Sequence, residues 1–183
     1  MTKEWDIKMG VKELLKYAGT VCCLMAAETV VRIQPEIRTV LVSVTDEVPI
    51  LYDFLWGMIM IAVLQMVPSK KIRCAVYGVL YAFLCVFLFS EYIYCRIFGR
   101  IYGVHTLQYA GEAHDFAGMV WSYFDGASWG LLGILVILGI AGGFFTARFQ
   151  RLSADWKKNL FYGGFAILFC TAGILGIPKL FKE

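Results

Sequence analysis

Apolar residues along this chain fall into five long runs that are separated by short polar or charged segments. The runs are 14–33, 50–67, 74–94, 129–145 and 160–177. Each approaches the roughly 20 residues that an α-helix needs to cross a bilayer at about 1.5 Å per residue. A backbone in lipid has to satisfy its own hydrogen bonds, so such runs form helices. The pattern predicts an all-α, polytopic membrane protein with five transmembrane helices in a single domain over 1–183.

The first run differs from the others because it contains Lys16 and Glu28. A lysine near a helix end can extend its ammonium to the membrane surface while its alkyl stem stays in the apolar region. A polar N-terminal segment precedes the run, and no small-residue cleavage site follows it. We therefore expect a retained first helix rather than a cleaved signal peptide.

The distribution of positive charge predicts the orientation. With the N-terminus in the cytoplasm, eleven of the 17 Lys and Arg residues fall in inner segments, and the inner loops 68–73 and 150–158 are short and basic. The positive-inside rule therefore favours an N-in, C-out arrangement. The predicted location is the cell membrane, as a multi-pass protein of a bacterial plasma membrane.

The longest outer interval, 96–128, carries a periodicity of its own. Within 105–124, apolar residues recur at three- to six-residue steps with polar residues between them. This spacing predicts an amphipathic helix lying in the outer interface between the third and fourth transmembrane helices. Its candidate interfacial residues are His105, Trp121, Tyr123 and Phe124, and the aromatic ones form a belt with Trp129 where the chain re-enters the bilayer.

Glycine is frequent in the fourth and fifth runs. Gly139 and Gly143 have the G-x-x-x-G spacing that lets two helix backbones approach closely. We therefore expect the fourth and fifth helices to pack against each other. Before the fourth run, Asp125-Gly126 predicts a turn and Ser128 is the predicted N-cap.

Composition agrees with a membrane protein and excludes some partners. Hydrophobic residues make up 60% of the chain and charged residues 17%, and the net charge of +3 is too small to indicate nucleic-acid binding. The basic residues are better explained by topology and by contact with membrane phospholipids. The six cysteines form no C-x-x-C pair, so packing is favoured over a disulfide or a redox centre.

Ionisable residues in or beside the apolar runs are the candidate functional residues, because charge in a membrane is costly. The candidate headgroup-binding residues are Glu28, Arg32, Glu91, Arg96 and Arg100. Glu28 and Arg32 lie four residues apart and share a helix face, so they can pair. Arginine binds phosphate bidentately, so the outer arginines could hold an anionic lipid headgroup. The competing interpretation is ordinary contact with the interface, which also applies to Asp53.

Metal and catalytic chemistry have weaker support. The residues His105, Glu112, His114 and Asp115 resemble a ligand set, but their spacing favours a solvated helix face. No nucleophile elbow, zinc-protease, phosphate-loop or paired-cysteine motif occurs in the chain. The residues therefore assign no catalytic residue, no metal site and no cofactor.

The third helix and the segment after it carry a resemblance to a known family. The segment reads LFSEYIYCRIFGRIYGVHTLQYAGEAHDFAG, and basic residues occupy the turn between the second and third helices. With five helices running N-in to C-out, this resembles the N-terminal membrane domain of the lipoteichoic acid synthase-like proteins. They belong to the alkaline phosphatase/sulfatase superfamily, among the phosphoglycerol and phosphoethanolamine transferases. The matching residues are Tyr92, Tyr94, Arg96, Phe98, Gly99, Thr106 and Leu107, together with the Glu28–Arg32 pair at the end of the first helix.

The resemblance implies a membrane anchor that also handles lipid. In that family catalysis resides in a large extracytoplasmic domain after the fifth helix, with a Thr nucleophile and a divalent metal such as Mn or Mg. This chain stops at Glu183, so none of its residues matches the nucleophile or the metal ligands. The implied partners are membrane phospholipids and a C-terminal catalytic domain outside this chain.

Two other classes of function remain open from the residues alone. One is a self-standing small integral membrane protein, such as a transporter subunit or an assembly scaffold. The other is a membrane-embedded redox enzyme that uses Cys22, Cys23 or Cys95.

Overall fold

The computed structural model describes residues 2–41, 47–100, 121–149 and 156–180, and their regular structure is helical with no strand. The helices with defined bounds are α1 (Thr2–Arg32), α2 (Pro35–Leu41), α3 (Glu47–Met66), α4 (Lys70–Phe98), α5 (Gly126–Ala147) and α6 (Trp156–Leu180). The five long ones overlap the five predicted apolar runs. The all-α prediction is therefore confirmed for the described residues.

Helix ends differ from the predicted bounds where polar residues extend a helix beyond its apolar run. Helix α1 begins at Thr2, and α4 extends from Lys70 to Phe98. Helix α4 ends at Gly99, whose φ of 61° is left-handed and whose N–H donates to the Cys95 carbonyl at 2.8 Å. Glycine adopts this conformation without a steric cost, so it is a suitable C-cap. The short α2 occupies part of the predicted outer loop.

In the bundle of long helices, α3 and α5 run antiparallel to α1, whereas α4 runs parallel to it. Helix α1 contacts α3, α4 and α5, while α6 packs on the outer side of α3. Thr20 Oγ1 lies 3.5 Å from Thr146 Oγ1, so the middle of α1 is beside the C-terminal end of α5. The shared core contains Ala27 and Val31 of α1, Leu64 of α3, Tyr92 of α4 and Leu135 of α5.

Two tyrosines of α4 pack into the glycines of α5. The Tyr77 hydroxyl donates to the Gly139 carbonyl at 3.2 Å, and the Tyr81 hydroxyl donates to the Leu135 carbonyl at 2.7 Å. An added Cβ at Gly139 would lie 2.3 Å from the Tyr81 ring, and one at Gly142 would lie 2.1 Å from the Tyr77 hydroxyl. The glycines thus make room for two aromatic rings that could not otherwise approach the backbone.

The predicted packing of the fourth apolar helix on the fifth is wrong. The main contacts of α5 are with α1 and α4, and the main contacts of α6 are with α3. Gly163 of α6 faces Met66 of α3, because an added Cβ would lie 2.6 Å from Met66 Cγ. Each glycine-rich helix therefore receives side chains from another partner, and the G-x-x-x-G spacing alone does not identify that partner.

The two ends of the bundle carry different charge. One end holds the basic residues Lys16, Lys70, Lys71, Arg73, Arg148 and Lys157. The other end holds the carboxylates Glu28, Glu36, Asp53, Glu91 and Asp125, together with Arg32, Arg96 and Arg100. We call these the basic end and the acidic end.

Two helices of the described chain, α4 and α5, are long and apolar enough to cross a membrane. Shorter apolar helical segments cover Asp53–Met66 and Asn159–Leu175. Large apolar side chains cover the outer surface of the bundle; Phe83 of α4 and Ile140 of α5 are 74% and 70% exposed. An exposed apolar surface of this extent is expected of helices in contact with lipid.

Candidate functional site

The last turn of α1 and the first half of α3 bring three charged side chains together at the acidic end. Arg32 Nε donates to Glu28 Oε1 at 3.0 Å, and Arg32 Nη2 contacts the same oxygen. Arg32 Nη2 also lies 3.5 Å from Asp53 Oδ1, and the Asp53 side chain is only 8% exposed. The predicted Glu28–Arg32 pair is therefore present, and Asp53 joins it from the neighbouring helix.

Carboxyl groups outnumber cations at this position. Glu28 and Asp53 both contact Arg32, and half-buried Glu91 of α4 is near enough to Glu28 and Arg32 to interact electrostatically. We call Glu28, Asp53, Glu91 and Arg32 the acidic cluster. Three carboxyl groups therefore surround one guanidinium, an arrangement that favours the uptake of a proton or of a cation.

An apolar groove between α1, α3 and α4 ends at this cluster. The groove has a volume of about 360 Å³ and is open on one side, and Glu28 and Asp53 supply its charged lining. Its apolar lining includes Leu24 of α1, Trp56, Met60 and Val63 of α3, and Leu84 and Phe87 of α4. We call it the lateral groove. Small-molecule sites in proteins have volumes of about 300–1,000 Å³, so the lateral groove is at the lower end of that range. Such sites also combine apolar walls with a few polar groups, as this groove does.

Arg96 belongs to a second network, at the start of α5. Its guanidinium donates to Asp125 Oδ2 at 2.9 Å, to the Tyr123 carbonyl at 3.0 Å and to Ser128 Oγ at 3.1 Å. Arg96 Nε also lies 3.5 Å from Glu36 Oε1 of α2. We call this set the Arg96 network. The guanidinium is engaged by the protein itself and connects α2, α4 and α5.

Asp125 is the N-cap of α5, so the predicted cap at Ser128 is wrong by one helical turn. Asp125 Oδ1 accepts hydrogen bonds from the Ser128 N–H and from Ser128 Oγ, both at 2.9 Å. A carboxylate accepts from a first-turn amide more strongly than a hydroxyl does, and it also interacts favourably with the helix dipole. The hydrogen bond from Arg96, followed by those from Ser128, lowers the pKa of the exposed Asp125 carboxyl below its usual range.

The remaining predicted residues are less closely connected. Arg100 is exposed beyond the end of α4. Phe124 packs between Phe89 and Trp129, with ring centroids 5.3 and 5.5 Å away, and Trp121 is exposed beside it. The predicted interfacial helix over 105–124 lies outside the described residues except for its last four, and His105 is among those outside.

Arg73 at the basic end is a buried charge that the sequence reasoning counted only as a topology signal. It is 3% exposed, and its Nη2 donates to the Phe149 carbonyl at 2.8 Å. This contact ties the start of α4 to the end of α5, where helix carbonyls lack intrahelical partners. The i, i+4 spacing of Arg73 and Tyr77 on the face that meets α5 is the sequence signal that could have identified it.

The described residues include all six cysteines but not the four candidate metal ligands. All six cysteines are free thiols, and Cys95 Sγ donates to the Glu36 carbonyl at 3.4 Å. Within the described ranges, no three His, Cys, Asp or Glu residues are grouped so that they could hold a metal ion. The candidate ligands His105, Glu112, His114 and Asp115 lie outside those ranges.

Comparison with known proteins gives no match for this chain, whether with protein-family models, with curated proteins or with solved structures. The geometry itself defines the candidate site, which is an apolar groove with two carboxyl groups at one end.

Proposed function

We propose that this chain is a five-span, N-in, C-out membrane domain that handles lipid by admitting a hydrocarbon chain to the lateral groove. The observation that carries the proposal is the groove itself, which has apolar walls, an open side and a charged end. Two of its lining residues, Trp56 and Phe83, are exposed on the surface of the bundle. A hydrocarbon chain could therefore enter from the surrounding lipid without passing through water.

The orientation is supported by the charge of the two ends. Lys70, Lys71 and Arg148 lie at the basic end, which the positive-inside rule assigns to the cytoplasm. The acidic cluster then lies at the outer face. Helix α6 runs towards that face, because Gly163 packs beside Met66 and Gly173 packs beside Leu55, two residues from Asp53.

The proposed context is a phospholipid-headgroup transferase of the lipoteichoic acid synthase-like type. A chain that continues beyond α6 would emerge at the same end of the bundle as the acidic cluster. An extracytoplasmic catalytic domain attached there would lie near the charged end of the lateral groove. The chemistry would reside in that domain, while this chain would anchor it and hold lipid beside it.

Filling the groove provides the test. In nanodiscs, we expect phosphatidylcholine, which has no net charge, with a diazirine in one acyl chain to label α3 and α4 beside Met60 and Leu84. Met60→Trp places an indole in the groove and is expected to reduce that labelling by about tenfold, a loss of about 1.4 kcal/mol in binding. Peptide mass spectrometry after photolysis measures the labelling.

Met58→Trp is the matched control, because Met58 is on the same helix, is 37% exposed and is not part of the groove lining. This variant should label as the wild type does. Equal labelling of Met60→Trp and Met58→Trp would remove the groove from the proposal.

A further inference from the structure

The lateral groove differs from a general lipid-binding groove in the charge of its polar end. Both charged residues that line it, Glu28 and Asp53, are acidic, and its other lining residues are uncharged. The nearest cation, Arg32, already contacts both carboxylates. A phosphate at this end would therefore face two carboxylates and a guanidinium that is already engaged.

The same arrangement suits a positively charged group. Glu28 and Asp53 belong to different helices, and both carboxyl groups line the end of the groove and contact the same guanidinium, that of Arg32. An ammonium donates up to three hydrogen bonds, so it could contact both carboxyl groups together. Burial of Asp53, whose side chain is 8% exposed, strengthens such a contact because water competes for it less.

We infer that the lateral groove selects an amphiphile with one hydrocarbon chain and a protonated amine at its polar end. The hydrocarbon chain lies between Met60 of α3 and Leu84 of α4, and the ammonium lies between the carboxyl groups of Glu28 and Asp53. The small volume of the groove, about 360 Å³, favours one chain over two. The inference rests on the proposed function only in that the groove admits a hydrocarbon chain.

A proton is the competitor for the same position. Two neighbouring carboxyl groups can share a proton, which neutralises one of them without any ligand. Arg32 pairs with Glu28 and Asp53, and Glu91 adds a further carboxyl group from α4. If the pair keeps its proton, the groove has no preference for an amine over a neutral alcohol. The experiment therefore compares those two polar ends on the same alkyl chain.

The probes are two dodecyl chains with a terminal diazirine, one ending in a primary ammonium and the other in a hydroxyl. The full chain is placed in phosphatidylcholine nanodiscs at pH 7, so that the bilayer adds no net charge. We expect the ammonium probe to label the groove about tenfold more than the hydroxyl probe, which corresponds to about 1.4 kcal/mol. The two probes can partition differently into the bilayer, so each variant is compared with the wild type using the same probe.

Glu28→Gln combined with Asp53→Asn should reduce labelling by the ammonium probe about tenfold and leave labelling by the hydroxyl probe unchanged. Asp53→Asn alone, which keeps the Glu28–Arg32 pair, provides a milder variant and should also reduce the preference. Asp125→Asn is the control, because it removes a carboxylate from the same end of the bundle without touching the groove.

The outcomes separate the two proposals. Equal labelling by both probes in the wild type overturns the amine inference. So does a preference for the ammonium probe that survives in Asp53→Asn and in the double variant. Both outcomes leave the groove proposal in place. Labelling by neither probe, or labelling by the hydroxyl probe that Met60→Trp does not reduce, overturns both. Retained hydroxyl labelling in the double variant shows that its groove is still folded.

Discussion

Gly139→Ala is expected to destabilise the bundle by roughly 1–3 kcal/mol, the usual cost of adding volume to a packed core. The new Cβ would lie 2.3 Å from the Tyr81 ring, so that ring has to move. Moving it would weaken the hydrogen bond from the Tyr81 hydroxyl to the Leu135 carbonyl, which is 2.7 Å long and buried. Thermal unfolding of the purified chain in detergent, followed by tryptophan fluorescence, measures the effect.

Gly133→Ala is the matched control on the same helix. An added Cβ at Gly133 meets nothing within 4 Å, so alanine adds no clash there. Alanine also favours the helix over glycine by about 0.5–1 kcal/mol, so this variant should be as stable as the wild type or more stable. A Gly139→Ala variant that unfolds at the same temperature as Gly133→Ala would show that the tyrosine–glycine contact is absent.

Arg96→Ala is expected to cost about 2–3 kcal/mol, because it removes charge-assisted hydrogen bonds in a partly buried network. Its guanidinium is the shared donor to Asp125, Ser128 and the Tyr123 carbonyl. Without it, the start of α5 loses its connection to α4. Arg100→Ala, an exposed position beyond the end of the same helix, should change stability by less than about 0.5 kcal/mol. The same unfolding assay compares the two.

The pH dependence of stability identifies the acidic partner of Arg96. The folded pKa of Asp125 is lowered, first by Arg96 and then by Ser128, so its contribution is complete above the ordinary Asp pKa of about 3.9. That contribution is lost as the pH falls through the lower, folded pKa. Asp125→Asn should lack this part of the acid sensitivity. An acid transition of the same size in both proteins would assign it to other carboxyl groups.

Much of the helical framework follows directly from the apolar runs. The runs at 50–67 and 129–145 have nearly the same bounds as α3 and α5. The thickness of the bilayer sets the length both of an apolar run and of the helix that crosses with it. The Glu28–Arg32 pair also follows from its i, i+4 spacing, since both residues lie on one helix. Local spacing is enough for these features.

Features that depend on which helices meet could not be predicted in this way. The contact of Arg32 with Asp53 crosses from α1 to α3, and the contact of Arg96 with Asp125 joins residues 29 positions apart. The glycines of α5 indicated close packing but not that α4 tyrosines fill the space. Which helices pack together depends on the complementary shapes of their surfaces. The periodicity of apolar residues in one sequence does not show which surfaces are complementary.

The most direct test of the account concerns the sides of the membrane on which the two ends lie. With the six native cysteines replaced, a single cysteine is introduced at Pro68, at the basic end, or at Ala127, at the acidic end; both positions are exposed. Intact cells are treated with a membrane-impermeant maleimide. We expect Ala127→Cys to react in intact cells and Pro68→Cys to react only after permeabilisation. Reaction of both in intact cells, or the reverse pattern, would contradict the N-in, C-out bundle and the outer location of the acidic cluster.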